Sequence, residues 1–588
     1  MEINRIEPRC WFTGMKDTLL QLMVYGKDLS SYKVRTTLPC RSVTVVPSDN
    51  SDCSVIYIDL LKDAVAGNYL LIFEKDSIVV HIDYELKPKV DRDYSKCTIT
   101  NSDVVYLIMV DRFAKSSTIK VSKSGSDDWH GGDIGGIIER LDYLQDLGVT
   151  ALWLTPVFKN SNNPYRIDDK RFATYHGYSA TDFYDVDKHF GNLDDYKSLV
   201  EKAHSKGLKI IKDVIFNHCS INHRWLKSEP LPGWLNRYTK GQKCEKTNYK
   251  VTTVFDPYHS MVDIKDTVEG WFTETMPDLN LSNEHVLKYL TQMTIWWIET
   301  TGIDSIRMDT YLYSDFRSMM KWQERIVEEY PGFSVIAETW VPEASYTARI
   351  QNEIEKSVSS HNSTIVMDFA FQKRLEACYG NKSIYDREAQ MYSHFVNDFL
   401  YVNPMSTLAF IDNHDLPRWL AVNKSFKKMK QALAVLLTSP RIPQIYYGTE
   451  VLLSGDGKGT GDGNYRQDMF GKFDASQLSN SEAEMLDYVR RVLNWRKTSL
   501  AVAKGEMLHY IPQQGVYVYF RFYGDERVMV ILNNTNKIVK LDTSMYYEGL
   551  DGALSGYDII TGQNLSLESE VLIKGNDVYI LNLYKNER

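Results

Sequence analysis

The chain has 588 residues, 43% of them hydrophobic, which allows a large buried core and, at roughly 100–200 residues per domain, more than one domain. The net charge of −9 is spread along the chain without a basic stretch, which argues against a nucleic-acid partner. No window approaches the roughly 18 apolar residues of a membrane-spanning helix, so we expect no membrane insertion.

Residues 1–95 are predicted to be all-β. Four runs rich in β-branched and aromatic residues are separated by Gly, Asn, Asp and Lys turns, which is typical of a small β-sandwich. The runs span residues 20–25, 54–60, 67–74 and 78–84.

From residue 104 short apolar runs alternate with amphipathic helices. Glycine, the usual residue after a last helical turn, follows several of these helices. The predicted helices include 134–147, 193–206, 284–301 and 316–330. The predicted strands span 104–110, 149–154, 208–215, 303–308, 333–337, 364–367, 407–411 and 442–446. Eight such units in about 400 residues predict an α/β fold, a (β/α)8 TIM barrel over residues 96–503.

Two further regions complete the predicted organisation. Residues 219–276 separate the third strand from the next helix, have weak periodicity and are expected to form a small inserted subdomain over the barrel mouth. From residue 504 alternating runs return at 515–522, 527–532 and 577–583, which predicts a C-terminal β-sandwich over 504–588.

Polar side chains gather at the ends of four predicted strands. Active sites of (β/α)8 barrels lie at the carboxyl ends of the strands, so these residues are expected to converge. The residues are Asp213, Asn217 and His218 after the third strand, Arg307 and Asp309 after the fourth, Glu338 after the fifth, and His414 and Asp415 after the seventh. Separate structural roles for all of them would be a weaker explanation than one shared site.

Paired carboxylates on a rigid barrel suit glycoside hydrolysis, in which one attacks the anomeric carbon and the other protonates the leaving oxygen. Arg307 lies two residues before Asp309, so both side chains point to one face of the strand. A neighbouring arginine favours the charged form of a carboxylate. We therefore assign Asp309 as the nucleophile and Glu338 as the acid/base.

Seven segments, in order, resemble motifs of the α-amylase family of glycoside hydrolases. Four resemble its main signatures: DVIFNH at 213–218, GIDSIRMDT at 302–310, AETW at 337–340 and FIDNHD at 410–415. Three resemble further family segments: HGYSATDFY at 176–184, MPDLN at 276–280 and DGNYRQDM at 462–469. One motif would be weak support, but seven in order over about 400 residues are strong.

The resemblance implies a role for each matching residue. Asp415 would be a third carboxylate that stabilises the transition state. His218, Arg307 and His414 would bind the sugar that is cleaved, and Tyr178 would stack beneath it. Asp462 and Arg466 would bind the next sugar. Tyr178 as a core residue, and Asp462 with Arg466 as a surface ion pair, remain alternatives.

The sequence departs from the family in two places. Many members carry Lys-His where this chain has Leu312 and Tyr313. After Asp111-Arg112-Phe113 the chain continues Ala-Lys-Ser-Ser, without the carboxylates of the family's calcium loop. No cofactor is expected to be required, and calcium binding is left open, with Asn217 or Asp278 as contributors.

The segment EPRCWFTGMKDTLLQLMVYG at 7–26 resembles the leading domain of neopullulanases and cyclomaltodextrinases, and especially the starch-utilisation neopullulanases of Bacteroidetes-type bacteria. That resemblance implies an exported, periplasmic protein and a homodimer. The start, MEINRIEPRC, lacks the apolar segment of a signal peptide, so a cytoplasmic location is the alternative. The seven cysteines, widely spaced and without a Cys-X-X-Cys pair, leave the redox compartment open.

The predicted function is retaining hydrolysis of α-1,4 bonds in pullulan, maltodextrins or cyclodextrins. An α-1,6-active or transglycosylating enzyme of the same family is the first alternative, because the same covalent intermediate serves both outcomes. A glucan-binding homologue without catalysis is the second. Such a homologue should have lost an acidic residue, yet Asp309, Glu338 and Asp415 are all present.

Overall fold

The computed structural model describes residues 3–116, 125–167, 170–239, 244–358, 364–380, 386–387, 389–455 and 462–584. The chain begins with two facing four-stranded sheets, which confirms the predicted N-terminal β-sandwich. In spatial order, one sheet holds Ile3–Glu7, Leu19–Gly26, Cys53–Leu60 and Cys40–Val45, and the other holds Cys10–Phe12, Ile78–Lys87, Gly67–Lys75 and Lys33–Thr36. The four predicted runs are all strands, and the short or half-exposed strands beside them were missed.

Eight parallel strands then form a closed barrel, as predicted. In chain order they are β1 (Val105–Ile108), β2 (Ala151–Leu154), β3 (Lys209–Val214), β4 (Ser305–Met308), β5 (Ser334–Ala337), β6 (Thr364–Met367), β7 (Thr407–Phe410) and β8 (Ile442–Tyr446). Each pairs with its neighbour in the chain, and β8 closes the ring on β1. All residues of β1, β2, β4 and β5 are buried, because helices cover the outside and side chains fill the inside.

Helices surround the barrel. They are Val110–Phe113, Ile134–Glu139, Leu141–Leu147, Leu193–Ser205, Glu284–Thr301, Phe316–Glu329, Ala344–Ser357, Phe369–Tyr379, Ala389–Phe395, Trp419–Asn423, Phe426–Thr438, Asn480–Arg496 and Leu500–Lys504. The Asn283 side chain caps the helix that leads into β4, and Gly302 ends it with a left-handed φ of 72°. That stop sets where β4 begins, and so where Arg307 and Asp309 lie.

Two predicted elements are cut short or divided by a change in backbone geometry. The first strand, predicted over 104–110, is only Val105–Ile108, because Val110 starts a helical turn. The helix predicted over 134–147 is two helices, because Arg140 leaves helical geometry between them. Apolar periodicity continues through both breaks, so the pattern alone could not show them.

The segment between β3 and the next long helix is mostly irregular, as predicted, but it also contains an unpredicted helix, Met261–Glu269. Isolated bridges tie it back to the barrel, His218 to Asp278 and Leu235 to Leu279. Two small hairpin-like pairs also lie above the barrel. They are Phe158–Asn160 with Ala180–Val186, and Tyr165–Ile167 with Lys170–Phe172.

The chain ends in a second β-sandwich, as predicted. The larger sheet holds, in spatial order, Glu506–His509, Val516–Tyr523, Glu526–Asn533, Asp577–Tyr584, Ser555–Asp558 and Asn564–Ser566. The smaller pairs Val539–Asp542 with Glu570–Ile573, and a short helix, Tyr547–Leu550, lies beside them. Across the described ranges, no helix is long and apolar enough to cross a membrane. The seven cysteines all lie in those ranges and none is in a disulfide.

Candidate active site

The buried guanidinium of Arg307 on β4 gathers carboxylates from three strands. Its Nη1 donates to Asp213 Oδ1 on β3 at 3.0 Å and to Asp309 Oδ1, just beyond β4, at 2.8 Å. Its Nη2 lies 2.6 Å from Oε1 of Glu338, which follows β5. The two carboxylates assigned to catalysis therefore contact the two terminal nitrogens of one side chain, and face one small volume at the carboxyl end of the barrel.

Thr310 also links these two carboxylates, and no sequence pattern predicted this role. Its backbone N–H donates to Glu338 Oε2 at 2.7 Å. Its hydroxyl donates to Asp309 Oδ2 at 3.0 Å. Each carboxylate is thus held from two sides, by Arg307 and by Thr310.

Three carboxylates around one guanidinium cannot all be ionised without leaving excess negative charge in a buried site. Burial raises the pKa of Glu338 from 4.5 to about 8. The Arg307 charge opposes that rise, and the neighbouring Asp309 and Asp415 add to it. Burial also raises the pKa of Asp213, and the positive charge of Arg307 again opposes the rise. Of the two, Glu338 lines the open cavity, so it is the group positioned to hold a transferable proton near neutral pH.

Tyr178 and His414 form a stacked, hydrogen-bonded pair below the cavity. The Tyr178 hydroxyl donates to Asp213 Oδ2 at 2.9 Å and lies 2.6 Å from His414 Nε2. Because that hydroxyl proton is used on Asp213, His414 Nε2 is the donor to the hydroxyl oxygen. Burial lowers the pKa of His414 well below its usual value, with Arg307 and Arg466 adding to the effect. The imidazole is therefore neutral, and Tyr178 is more than core packing because it also lines the cavity.

Arg466 ties Asp415 to Asp462. Its Nη2 donates to Asp415 Oδ1 at 3.1 Å and to Asp462 Oδ2 at 3.3 Å, and its Nε donates to the backbone oxygen of His414. The Arg466 side chain is buried, whereas that of Asp462 is 64% exposed. The pair is thus not a surface ion pair, because the guanidinium lies in the site and holds a carboxylate of the predicted trio.

His218 also lines the catalytic cavity. Its Nε2 is 3.1 Å from the backbone oxygen of Tyr178, and its ring stacks on Phe272 with centroids 5.6 Å apart. Burial lowers the pKa of His218, so this ring too is a neutral hydrogen-bonding group.

A cavity of about 540 Å³ joins these groups. Most predicted residues line it, while Arg307 and His414 lie behind the lining side chains. The predicted lining residues are Tyr178, His218, Asp309, Glu338, Asp415, Asp462 and Arg466. Sequence reasoning missed other lining residues, among them His176, Tyr249, Phe272, Met276 and Trp340. Three of these, Tyr249, Phe272 and Met276, come from the inserted segment, and for the two aromatic residues the aromatic content of that segment was the available signal.

Leu312 and Tyr313, which together form the first departure from the family, lie in different environments. Leu312 is buried, 2% exposed, whereas Tyr313 lines the cavity and packs edge-on against Phe272 at 5.3 Å. Tyr313, Phe272 and Tyr249 therefore form an aromatic wall of the cavity.

The residues considered for calcium do not form a fitting site. The Asn217 amide nitrogen donates to Asp278 Oδ1 at 2.7 Å, and Asn236 donates to Asp278 Oδ2 at 2.8 Å. Both carboxylate oxygens of Asp278 are thus used by amide donors. Within the described ranges, no group of three or more His, Cys, Asp or Glu residues could hold a metal. Part of the segment after Phe113 lies outside those ranges.

The geometry provides the parts of a two-carboxylate displacement. Asp309 accepts hydrogen bonds from Arg307 and Thr310, Glu338 contacts the same guanidinium and has a raised pKa, and Asp415 lines the same cavity. No separate oxidant or cofactor is needed for such acid–base and nucleophilic chemistry.

Three family descriptions match the chain in sequence order. They are the cyclomaltodextrinase N-terminal domain at residues 5–90, the α-amylase catalytic domain at 107–518 and the cyclomaltodextrinase C-terminal domain at 507–582.

Named relatives agree with these matches. A cyclomaltodextrin glucanotransferase of Geobacillus stearothermophilus is 29% identical over 498 residues, 80% of this chain and 65% of that protein. A cyclomaltodextrinase of Thermoanaerobacter pseudethanolicus is 27% identical over 494 residues, 82% of this chain and 78% of that protein. The crystal structure of an Anoxybacillus α-amylase superposes with a TM-score of 0.69 at 26% identity, covering 85% of this chain and all of that one. A maltogenic amylase from S. marinus, at 19% identity and a TM-score of 0.64, shares the fold over 99% of this chain and 82% of its own.

The catalytic-domain match covers more than half of the chain and includes every residue assigned to the site. The chain belongs to the α-amylase family of glycosidases.

Proposed function

We propose that this protein hydrolyses α-1,4-glucosidic bonds in maltodextrins, cyclodextrins and pullulan, with retention of anomeric configuration. The observation that carries the proposal is the shared guanidinium of Arg307, which contacts Asp309 at 2.8 Å and Glu338 at 2.6 Å. Retaining glycosidases need two carboxyl groups close together, about 5–5.5 Å apart, so that one can attack directly. Contact with the two terminal nitrogens of one guanidinium brings these carboxyl groups close together, which supports direct attack by one of them.

In the first step, Asp309 attacks the anomeric carbon while Glu338 gives its proton to the glycosidic oxygen. The bond between that carbon and oxygen breaks, and a covalent glycosyl ester forms on Asp309. Asp415 faces the positive charge that develops on the sugar ring. Arg466, which donates to Asp415, keeps that carboxylate pointed at the cavity.

In the second step, Glu338, now ionised, takes a proton from water, and the water oxygen attacks the same carbon. The ester bond to Asp309 breaks and the sugar leaves with its original configuration. Tyr178 supplies an aromatic face beneath the sugar ring. The neutral imidazoles of His218 and His414 can form hydrogen bonds with the sugar without taking the proton of Glu338.

The substrate class is supported by both flanking domains. They match the cyclomaltodextrinase N- and C-terminal domains, and several relatives are named for cyclomaltodextrins. The aromatic wall of Tyr249, Phe272 and Tyr313 suits sugar faces, which stack on aromatic rings.

A second cavity offers room for the leaving part of the glucan. It has a volume of about 470 Å³ and shares Trp340 with the catalytic cavity. The Trp340 ring, 43% exposed, stacks on Phe369 at 4.9 Å, which leaves part of its surface open. Trp340 follows β5, whereas Asp462 and Arg466 follow β8, across the ring of strands. The second cavity thus extends the site on the side away from the Asp462 subsite.

Chromatography of products from pullulan, soluble starch and β-cyclodextrin tests the proposal. We expect cleavage of all three, with panose from pullulan. Isomaltose cleavage with intact α-1,4 bonds would instead support the α-1,6-active alternative, and longer products from maltotriose would support transglycosylation. Absence of turnover on every α-glucan, with binding retained, would support the non-catalytic alternative.

Location and assembly are proposed on the resemblance of the N-terminal segment alone. We propose periplasmic export and a homodimer. Cell fractionation and light scattering test the two proposals separately, and a cytoplasmic monomer would contradict both.

A further inference from the structure

Thr310, directly after the proposed nucleophile, has a left-handed backbone with φ of 46°. That conformation is unfavourable for a β-branched side chain, because Cβ comes too close to the backbone. In the described part of the chain, Thr310 is the one Val, Ile or Thr with a left-handed φ. Unfavourable backbone conformations persist where surrounding structure over-determines them, and they cluster at functional sites.

The conformation lets one residue reach both reacting carboxylates. The backbone N–H points to Glu338 Oε2 at 2.7 Å, and the hydroxyl points to Asp309 Oδ2 at 3.0 Å. Thr310 is 6% exposed, so both hydrogen bonds are formed away from bulk water. An ordinary strand continuation would alternate direction and would not present both groups to one side.

We propose that Thr310 is a positioning residue that holds the nucleophile and the acid/base at a fixed separation through its left-handed backbone. The inference rests on the proposed function and adds a residue to it. Arg307 holds Asp309 Oδ1 and approaches Glu338 Oε1, while Thr310 holds the other oxygen of each. Asp309 thus accepts a hydrogen bond at each oxygen, and Glu338 accepts one at Oε2 while its Oε1 forms an ion pair with Arg307, which restricts the rotation of both carboxylates.

The contact to Asp309 depends on the Thr310 hydroxyl, whereas the contact to Glu338 depends on the Thr310 backbone. The backbone N–H has no such side-chain dependence, because every residue at 310 except proline retains it.

Four substitutions separate these contributions. Thr310→Val keeps the shape and removes the hydroxyl. Thr310→Ser keeps the hydroxyl and removes the methyl group. Thr310→Ala and Thr310→Gly both lack the hydroxyl, but glycine adopts a left-handed backbone without cost. The measurements are kcat, KM and the pH profile of kcat/KM on maltoheptaose, together with thermal midpoints.

We expect Thr310→Val to lower kcat at least tenfold with little change in KM, because the nucleophile loses a hydrogen bond that positions it. Thr310→Ser, which keeps the hydroxyl, should recover most of that loss. The basic limb, set by Glu338, should stay in place in both. Thr310→Gly should unfold at a higher temperature than Thr310→Ala.

Equal kcat values for the Val and Ser variants would overturn the inference, and so would a Gly variant less stable than Ala. Failure of the proposed function is a different result, because the unsubstituted protein would then turn over no α-glucan at all.

Discussion

The Glu338 carboxyl lies 2.6 Å from the guanidinium of Arg307, and yet its pKa is raised rather than lowered. A nearby positive charge alone would favour the carboxylate. Arg307 is shared with Asp213 and Asp309, however, and Glu338 is buried, so burial outweighs the arginine. Glu338 can therefore hold a proton near neutral pH although it contacts an arginine.

The proton on Glu338 should be essential for turnover of natural substrates. We expect Glu338→Gln to lower kcat on maltoheptaose by about 10²–10⁴-fold, the usual contribution of general acid catalysis, with substrate binding retained. Loss on a nitrophenyl glycoside, whose leaving group needs little protonation, should be smaller in the glycosylation step. The exposed Glu343→Gln is the matched control and should behave as the unsubstituted protein. Equal losses on both substrates would argue against the acid role.

The pH dependence should show the raised pKa of Glu338. Activity requires the protonated form, so kcat/KM should fall as pH rises through that pKa, which lies near 8 rather than 4.5. The profile on maltotriose, measured from pH 4 to 10, checks this. A basic limb below pH 6 would contradict the assignment of the proton to Glu338.

The second cavity predicts a chain-length effect. Removing the shared aromatic ring by Trp340→Ala should lower kcat/KM for maltoheptaose about tenfold more than for maltotriose, a difference of about 1.4 kcal/mol. Tyr258→Ala serves as control, since Tyr258 is 92% exposed and lines neither cavity. An equal loss on short and long substrates would mean that the cavity beyond Trp340 takes no part in binding.

Lys212 is a buried cation that catalysis does not use. Its Nζ lies 3.7 Å from the Trp297 ring centroid and 4.1 Å from that of Phe158, and it has no hydrogen-bond acceptor among the described residues. Burial lowers the pKa of Lys212 from 10.5 to about 7. Since the folded-state pKa is the lower one, the destabilisation is absent above pH 10.5, grows as pH falls and is complete below about pH 7.

Replacing that ammonium by an apolar side chain should therefore stabilise the protein. We expect Lys212→Met to raise the thermal midpoint at pH 6, by the equivalent of roughly 1–3 kcal/mol, with a smaller gain at pH 9. The aromatic faces attract the ammonium but do not replace its hydration. Lys202→Met, on an exposed helix face, is the control. A Lys212→Met protein less stable at both pH values would show that the ring contacts outweigh burial.

Calcium provides a test of the Asn217–Asp278 pair. Because amide donors occupy both oxygens of Asp278, we expect no rise in thermal midpoint when calcium is added to chelator-treated protein. A rise of several degrees that Asp278→Asn removes would place calcium at this pair.

The barrel could be predicted from sequence because its strands are buried on both faces and bounded by helices. The bounds of β6, β8 and the helix Glu284–Thr301 agree with prediction. Other strands were predicted one or two residues too long at an end. Val104, Phe333 and Ile411 are buried and apolar but lie outside the strands, so hydrophobicity could not mark the ends.

The catalytic carboxylates were predictable because strand ends of a barrel converge. Thr310 was not, because its conformation comes from tertiary contacts and threonine carries no left-handed turn signal. The Phe272 and Tyr249 wall was also missed, since the inserted segment has no periodicity that fixes its path over the barrel.

Asp309 and Glu338 are proposed to act as a closely spaced pair that contacts one guanidinium. The decisive measurement is proton NMR of the first product released from maltoheptaose. We expect the α-anomer of the new reducing end to appear first, and the β-anomer to form afterwards only by mutarotation. Initial release of the β-anomer would mean that water attacks directly, and it would contradict the covalent role of Asp309.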